Sequence, residues 1–324
     1  MHCLTNTPDA SVVVGVYEGL DQLPASMDSV LTQAGPSFEV IVVNDGSGPA
    51  SSAWLRDLAA RDRRVRLIEQ DNAGLTAALV RGCGEARAPI IIRQDVGDRS
   101  APGRFQALLE AIHASTAIAM VSSWVRHLGP RGEPLVTVRR GIDPEENRRR
   151  LLEHREGPPC HGATAFRRDA FEQAGGYRAK FLYAQDSDLW LRLAELGGFA
   201  CVQRVLYECT FELEGISATR QALQVAFGEY AHACRAARLA GADDPPPPEV
   251  ESRPATAEER RHARAAALYY VGACLDARAD VRGRGYLRRA IGAQPSRLRT
   301  WARWMWSMRP RRWTESIQEG EQVS

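Results

Sequence analysis

The chain has 324 residues, of which 44% are hydrophobic and 25% charged, so it can bury a large core and is not of the disordered class. Its net charge of +2 argues against a general nucleic-acid-binding protein, and no nucleic-acid partner is expected. The seven cysteines form no C-x-x-C pair, which argues against a zinc ribbon and indicates a reducing cytoplasm. Neither a signal peptide nor a membrane-spanning apolar run is expected.

Residues 10–100 alternate short apolar strands with helices. Runs of β-branched residues predict strands buried on both faces, and apolar residues at helical spacing predict the helices between them. The expected strands are 11–16, 38–43, 65–69 and 89–93, and the expected helices are 23–33, 51–61 and 75–86. This alternation predicts right-handed βαβ units and a parallel sheet with helices on both faces.

The pattern is weaker after residue 100. Helices are expected at 105–113, 144–154, 186–196, 255–290 and 295–308, and strands at 117–125 and 160–166. A proline-rich stretch at 241–254 predicts a linker. The expected organisation is an α/β domain over 1–240, with one half at about 10–100 and another at about 101–220, then the linker 241–254 and a helical C-terminal region over 255–324.

Acidic residues directly follow two of the predicted strands. Asp45 follows the second strand and Asp95 the fourth. Ligands bind at the carboxyl ends of parallel strands, so these residues predict a binding crevice at that edge. The first strand is not followed by G-x-G-x-x-G, and the chain has neither G-x-x-x-x-G-K-[ST] nor G-x-S-x-G, which removes the main support for dinucleotide, P-loop and α/β-hydrolase sites.

Five segments taken together resemble the large inverting family 2 of glycosyltransferases with the GT-A fold. They are SVVVGVYEG, FEVIVVNDGS, DNAGLTAALVRG, IIIRQDVGD and GGYRAKFLYAQDSDLWLRLAE, in matching order over about residues 10–220. The resemblance implies a mostly parallel central sheet flanked by helices, with a Rossmann-like nucleotide-binding half. It also implies a hexosyltransferase-type enzyme (EC 2.4), which transfers a sugar from a nucleotide-diphosphate donor to an acceptor hydroxyl with inversion, in bacterial cell-surface polysaccharide or glycoconjugate synthesis.

The resemblance places the donor nucleotide at the loops after the first two strands. Tyr17, Glu18 and Asp45 would hold the base and the ribose, and a carboxylate such as Asp45 can accept an N–H from a pyrimidine ring. The other interpretation of Asp45 is a turn residue that caps the following helix, which is common in N-D-G-S.

A second stretch is also implied to lie beside the donor. It contains Asn72, Gly74 and Arg81. Asn72 is equally placed to cap the helix that is expected to start near Leu75, and the two roles are compatible.

The segment QDVGD aligns with the family's D-x-D segment, whose carboxylates hold Mn²⁺ or Mg²⁺ against the donor's phosphates. Asp95 keeps the first position and is expected to face both donor and cation, Gly97 replaces the second, and Asp98 follows. Three outcomes then stay open: Asp98 takes over as a ligand, the cation is held weakly, or donor chemistry is lost. The other interpretation of Asp98 is a cap of the following helix. Many relatives have a histidine a few residues before the position of Ser217, where this chain has Phe211-Glu212-Leu213-Glu214. Glu212 is either an oxygen ligand or a surface residue.

Asp186 lies where the family has its general base. Such a carboxylate takes the proton of the acceptor hydroxyl as that hydroxyl attacks C1 of the sugar. Asp188 is expected to point elsewhere or to cap the helix. Trp190 and Arg192 are expected on the acceptor side, and burial in the helix is the other interpretation of Trp190. His161 is expected to be structural.

Residues 300–313 combine tryptophan and arginine with no acidic residue. This composition suits the headgroup layer of an anionic membrane, and the other interpretation packs the tryptophans onto the catalytic domain. The expected acceptor is a glycan or a lipid-linked molecule. The expected location is the cytoplasm, including the inner face of the membrane.

Two other functions stay open at this point. Gly97 motivates a catalytically impaired relative that binds a nucleotide or a glycan as a module. A nucleotidyltransferase would need a basic residue in the loop after the first strand, which residues 15–19 lack.

Overall fold

A computed structural model describes residues 7–215, 219–250 and 256–308 of the chain. Of these residues, 7–212 and 220–250 form one compact unit, whereas 213–215, 219 and 256–308 form another. The described part of the predicted linker, 241–250, therefore belongs to the first unit.

The first unit begins with four parallel strands, as predicted, and their neighbour order is β3-β2-β1-β4. These strands are β1 (Ala10–Val16), β2 (Phe38–Asp45), β3 (Val65–Gln70) and β4 (Ile90–Arg93). The helices between them are α1 (Leu23–Leu31), α2 (Pro49–Arg61) and α3 (Leu75–Gly84). Alternate residues of these strands pack into two hydrophobic cores. Val13 and Ile41 lie in the core on one face of the sheet, and Val12 and Val40 lie in the core on the other.

The sheet continues beyond β4 in the order β8-β6-β9-β5, with β7 paired to β6. The elements after β4 are β5 (Arg99–Ser100), α4 (Arg104–His113), β6 (Ile118–Leu128), β7 (Pro134–Val138), α5 (Pro144–His154), β8 (Ala165–Arg167), α6 (Arg168–Gln173), α7 (Gln185–Leu196), β9 (Gly198–Thr210) and α8 (Gln221–Leu239). Within the described residues, β1 to β4, β6 and β9 run in one direction and β5, β7 and β8 in the other. The predicted α/β class with a mostly parallel sheet is confirmed.

The predicted strand over 160–166 is wrong in its first half. His161–Ala163 forms a single 3-10 turn, and only Ala165–Arg167 pairs, antiparallel to both β4 and β6. The backbone at Gly162 packs against the hydroxyl of Tyr207, since an added Cβ would lie 2.0 Å from that oxygen. A side chain there would displace Tyr207, so this close approach requires glycine.

The second unit contains three helices within its described part. They are α9 (Ala257–Ala277), α10 (Arg282–Ala293) and α11 (Leu298–Ser307). The helix predicted over 255–290 is therefore interrupted, at a turn where Ala279 has a positive φ of 61°. No helix among the described residues is both long and apolar enough to cross a bilayer.

The described proline-rich residues 241–250, called here the proline segment, are attached to the first unit. Asp244 forms salt bridges with Arg178 and Lys180 at 2.5 and 2.6 Å. The hydroxyl of Tyr230 donates to the Pro245 carbonyl at 2.9 Å. These contacts hold the segment against α8 and the loop before α7.

Candidate active site

The carboxylate of Asp45, at the end of β2, is fully hydrogen-bonded by the protein. It is 2% exposed; Oδ1 accepts from Gln70 Nε2 at 2.7 Å and the Ala73 N–H at 2.9 Å, and Oδ2 accepts from the Gly74 N–H at 2.8 Å. The alternative of a cap for the following helix is wrong, because the N-cap of α2 is Gly48. Asp45 instead joins the end of β3 and the start of α3 to the end of β2.

The loop after β1 lies over the start of α2. Glu18, at a φ of 62°, accepts from the Gly48 N–H at 2.7 Å and from Ser51 Oγ at 3.2 Å, and its own N–H donates to Ser47 Oγ at 3.0 Å. Tyr17 is 63% exposed. Glu18 is therefore engaged in loop structure, while the Tyr17 ring is open to solvent.

The loop before α3 is close to the end of β2. A Cβ at Gly46 would lie 2.6 Å from the Asn72 nitrogen, so the two loops touch at a glycine with a φ of 74°. Asn72 does not cap α3, and that alternative is wrong, because the N-cap is Gly74 and no side chain bonds there. Arg81 is exposed in the last turn of α3, about 10 Å along the helix from Gly74.

Asp95 is held on one side and open on the other. Its Oδ1 accepts from Arg93 Nη2 at 2.7 Å, and its N–H donates to the Tyr207 hydroxyl at 3.2 Å. The Arg93 side chain is fully buried, whereas that of Asp95 is 30% exposed. Oδ2 faces the 161–163 turn, where a Cβ on Gly162 would lie 2.9 Å away.

Gly97 occupies a backbone position that is strained for any residue with a Cβ. Its φ is 90°, its N–H donates to Ser26 Oγ at 2.9 Å, and a Cβ would lie 2.8 Å from Gln22 Oε1. The same Cβ would lie 3.6 Å from Glu212 Oε1, and that carboxylate accepts a hydrogen bond from Gln22. A carboxylate therefore does lie beside Gly97, and it comes from the end of the sheet.

Asp98 is buried, and its role as a ligand of the donor's cation stays a prediction. It is 5% exposed, Oδ1 accepts from the Thr210 N–H at 2.9 Å, and Oδ2 lies 3.9 Å from Cys160 Sγ. Burial, and after it the charge of Asp95, raises the pKa of Asp98 to about 7. The capping alternative is wrong, because the N-cap of α4 is Gly103.

The start of α7 carries two aspartates with different surroundings. Asp186 is partly buried, and its Oδ1 accepts one local hydrogen bond, from the Ser187 N–H at 2.8 Å. Asp188 is 2% exposed and accepts from Arg178 Nε at 3.0 Å. Because Ala184 is the N-cap, neither aspartate caps the helix. Asp186 thus retains open acceptor positions and Asp188 does not.

Arg192 completes the ion pair of Asp188 and is not on an acceptor surface. Its Nη2 donates to Asp188 Oδ2 at 2.5 Å and its Nη1 to the Ala174 carbonyl at 2.5 Å, and it is 5% exposed. The predicted acceptor-side position of Arg192 is therefore wrong, because helical spacing places it one turn below Asp188 and inside the core.

Trp190 is buried in α7 and also lines a cavity. It is 7% exposed, and its ring lies edge-on to His161 with the centroids 6.2 Å apart. The cavity of about 350 Å³ is lined by residues that include Arg140, Ser187 and His232. Burial and an acceptor-side position are thus compatible for Trp190.

His161 is held by aromatic neighbours. Its Nε2 is 2.7 Å from the Tyr177 hydroxyl. Burial and the Arg93 guanidinium lower the pKa of His161, while Asp186 and Asp95 oppose this shift. The turn that carries His161 also contacts Asp95 Oδ2, through Gly162, and the Trp190 ring of α7.

Asp45 lies at the same edge of the sheet as Asp95. β1 separates β2 from β4, so the ends of these two strands are about 10 Å apart. The structure thus brings Asp95 and Asp186 together and places Asp45 at a neighbouring strand end. Gln22, Gly162, Tyr207 and Arg104, which also surround the site, have no motif in the sequence that would have indicated them.

The family model described as glycosyl transferase family 2 matches residues 11–175. The chain belongs to this family. Its fold is that of the family's GT-A members: the mannosyltransferase PcManGT from Pyrobaculum calidifontis, solved with GDP-Man and Mn²⁺, superposes with a TM-score of 0.54 at 19% identity, covering 94% of this chain and 85% of that one. S. aureus TarS gives a TM-score of 0.50 at 12% identity, covering 92% and 90%.

Curated relatives of this family 2 member include bacterial transferases. Hyaluronan synthase of Pasteurella multocida is 23% identical over 222 residues, which are 68% of this chain but only 22% of that protein. The UDP-Gal:alpha-D-GlcNAc-diphosphoundecaprenol beta-1,3-galactosyltransferase of Escherichia coli is 27% identical over 223 residues, 64% of this chain and 76% of that one. The putative glycosyltransferase EpsE of Bacillus subtilis is 28% identical over 201 residues, covering 60% and 69%.

Proposed function

We propose that this glycosyltransferase transfers a sugar from a nucleotide-diphosphate donor to an acceptor hydroxyl with inversion at C1, in the synthesis of a bacterial cell-surface polysaccharide or glycoconjugate. The donor nucleotide lies against Tyr17, Glu18, Asp45 and the 72–74 loop. Arg81 lies farther along α3 and contributes through its charge. The observation that carries the proposal is that the His161–Ala163 turn contacts both Asp95 Oδ2, next to Gly162, and Trp190 of α7, the helix that begins with Asp186.

Asp186 acts as the general base. Its carboxylate receives the proton of the acceptor hydroxyl while the hydroxyl oxygen bonds to C1 and the bond from C1 to the diphosphate breaks. One local hydrogen bond orients Asp186 without occupying its second oxygen. Trp190 and the cavity beside Ser187 form the acceptor side.

Asp95 and Glu212 fit a Mn²⁺ or Mg²⁺ ion. Both are carboxylates with exposed surface, which hard cations prefer, and Glu212 lies beside Gly97, which replaces the second aspartate. When bound, the cation supplies charge neutralisation for the leaving diphosphate. The change Glu212→Gln is expected to weaken Mn²⁺-dependent stabilisation by UDP in a thermal shift assay; unchanged stabilisation would remove Glu212 from the ligand set.

The change Asp186→Asn tests the reaction. It is expected to lower transfer by about 10²–10⁴-fold, because that is the usual contribution of a general base. Binding of the nucleotide-sugar, measured by calorimetry, is expected to stay within about twofold because the donor contacts are elsewhere. Full transfer by this variant would contradict the role of Asp186.

A nucleotide- or glycan-binding module without catalysis is the second candidate. The crowded backbone at Gly97 and the buried Asp98 favour it, since the first lacks a carboxylate that the family uses and the second is closed to solvent. Binding of UDP or of a sugar nucleotide in the absence of any transfer or donor hydrolysis, across a donor panel with Mn²⁺, would support this candidate.

We further propose that the acceptor is a glycan or a lipid-linked molecule and that the enzyme works in the cytoplasm at the inner face of the membrane. Within 300–313, residues 309–313 lie outside the described residues. Met305 and Trp306 of α11 are 57% and 61% exposed. Changing both residues to serine is expected to lower flotation with anionic vesicles. The control Ile142→Ser changes an exposed apolar residue of the first unit and is expected to leave flotation unchanged. Equal flotation of the unmodified protein, the double variant and the control would contradict membrane contact.

A further inference from the structure

One cluster of metal-ligating side chains lies beneath the Asp95–Asp98 loop and takes no part in the proposed reaction. The side-chain ligand atoms of Asp98, Cys160 and Cys209 all lie within 4.8 Å of one another. They come from three separate segments: the loop after β4, the turn before β8, and the end of β9. Thr210, next to Cys209, donates to Asp98 Oδ1 at 2.9 Å, which leaves Oδ2 facing Cys160.

The surroundings of this cluster contain a buried positive charge. Arg104 is fully buried, and its guanidinium stacks on Tyr207 at 4.6 Å. Its hydrogen-bond acceptors are all neutral: Gln94 Oε1, Ser100 Oγ, and the carbonyls of Arg93 and Gly162. Within the part of the chain that the structure describes, Arg104 forms no salt bridge. Burial lowers the pKa of Arg104 to about 10, and the nearby charges of Asp95 and Asp98 oppose that shift.

We propose that Asp98, Cys160 and Cys209 bind a thiophilic divalent cation of the Zn²⁺ type, at a site separate from the donor's cation. Binding deprotonates both thiols, and their two protons pass to solvent. Two thiolates and one carboxylate around a divalent cation leave one net negative charge, so the site stays compatible with the buried charge of Arg104.

The geometry requires only a small adjustment. In a tetrahedral Zn²⁺ site with Zn–S bonds of about 2.3 Å, neighbouring ligand atoms lie about 3.5–3.8 Å apart. The three atoms here are within 4.8 Å of one another, so closing on an ion takes a movement of about 1 Å. The fourth position is filled by a solvent molecule.

The ligand chemistry separates this site from the one near Asp95. Thiolates favour Zn²⁺ and similar soft ions, whereas oxygen-only sites favour Mn²⁺ and Mg²⁺. A cation on Asp98, Cys160 and Cys209 joins the loop that carries Asp95 to β9 and to the turn that carries His161. Its role is therefore to fix the position of the reactive loop.

Cobalt titration of the reduced, metal-free, full-length protein tests the proposal. We expect one equivalent of Co²⁺ to give thiolate-to-cobalt charge-transfer absorption and the visible bands of tetrahedral cobalt, with displacement by Zn²⁺. Cys160→Ser and Cys209→Ser are each expected to weaken binding more than roughly 100-fold, since even hydrogen-bond partners of metal ligands contribute 10–100-fold. Cys274→Ser, a partly buried cysteine on α9, is the matched control and is expected to bind normally.

Two further measurements distinguish this site from the proposed site of the donor's cation. Asp95→Asn and an excess of Mn²⁺ are both expected to leave the cobalt bands unchanged, so the result does not depend on the proposed function. Should either cysteine variant fail to fold, the absorption of the unmodified protein and its zinc stoichiometry by native mass spectrometry still decide the matter. Absence of charge-transfer bands in the unmodified protein, retention of the bands by both cysteine variants, or a Cys160–Cys209 disulfide in place of metal binding would each overturn the proposal.

Discussion

The end of β2 and the region around His161 both present carboxylates at one edge of the sheet, but the protein uses them differently. Asp45 accepts three hydrogen bonds from its own chain and is 2% exposed. Asp186 accepts one and Asp95 is held through one oxygen. The carboxylate at the end of β2 is therefore internally bonded, whereas Asp95 and Asp186 keep open lone pairs. The number of internal partners, more than position in a motif, separates Asp45 from the two carboxylates that we propose to take part in the reaction.

The largest expected effect on stability is that of Asp188→Asn. It tests, within α7, the difference between the internally bonded Asp188 and the more open Asp186. Removing the negative charge leaves the buried Arg192 guanidinium without its salt-bridge partner, so unfolding free energy is expected to fall by about 3–5 kcal/mol. The matched change Asp186→Asn is expected to alter it by less than about 0.5 kcal/mol. Urea unfolding of both variants measures the difference, and equal losses would contradict the division of roles.

The change Asp45→Asn comes next. An amide supplies one acceptor in place of two and turns an NH₂ group toward an N–H donor, which costs about 1–3 kcal/mol of stability. The start of α3 then loosens, and we expect UDP affinity to fall about 10-fold in calorimetry, roughly the value of one such hydrogen bond. An unchanged affinity would show that the 72–74 loop does not touch the nucleotide.

The changes Gly97→Ala and Gly103→Ala separate crowding from backbone strain. Both glycines have a positive φ, which costs about 1–2 kcal/mol for alanine. A Cβ at Gly97 also displaces Gln22 and its bond to Glu212, whereas a Cβ at Gly103 meets nothing within 4 Å. Gly97→Ala is expected to lose about 1 kcal/mol more in thermal unfolding. Equal losses would mean that Gln22 moves freely.

The last expected effect is on stability in acid, and it depends on pH. Burial alone would raise the pKa of Glu39, but hydrogen bonds from Arg87, Ser11 and Arg66 lower it to about 2. A lowered folded pKa gives stability that is present above the unfolded value of about 4.3 and is lost as pH falls toward 2. Glu39→Gln is expected to flatten unfolding free energy against pH in that window, and an unchanged slope would assign acid unfolding to other carboxylates.

The sequence was sufficient to predict the four parallel strands, because runs such as Val12–Val14 are buried on both faces and carry a clear pattern. It did not predict β9, whose residues alternate irregularly because register shifts interrupt its pairing with β6. The sequence predicts a strand at His161–Ala163, where the structure has a turn. That turn packs against Tyr207, which is distant in the sequence.

The site was predicted only as far as local motifs reach. Asp45, Asp95 and Asp186 were named from their segments, and their common edge follows from the topology. The burial of Asp98 and the approach of Glu212 to Gly97 depend on contacts between residues that are more than 100 positions apart. The burial of Arg192 depends on which face of α7 packs into the core. A single sequence contains no local pattern that indicates such contacts.

The attachment of the proline segment decides where this enzyme can be shortened. Asp244 bonds Arg178, and Arg178 bonds Asp188, two residues from the proposed base. A truncation at residue 240 would remove Asp244 and leave Arg178 and Lys180 without this partner, although α8 would stay whole. A minimal catalytic fragment should therefore extend to residue 250, eleven residues past the end of α8.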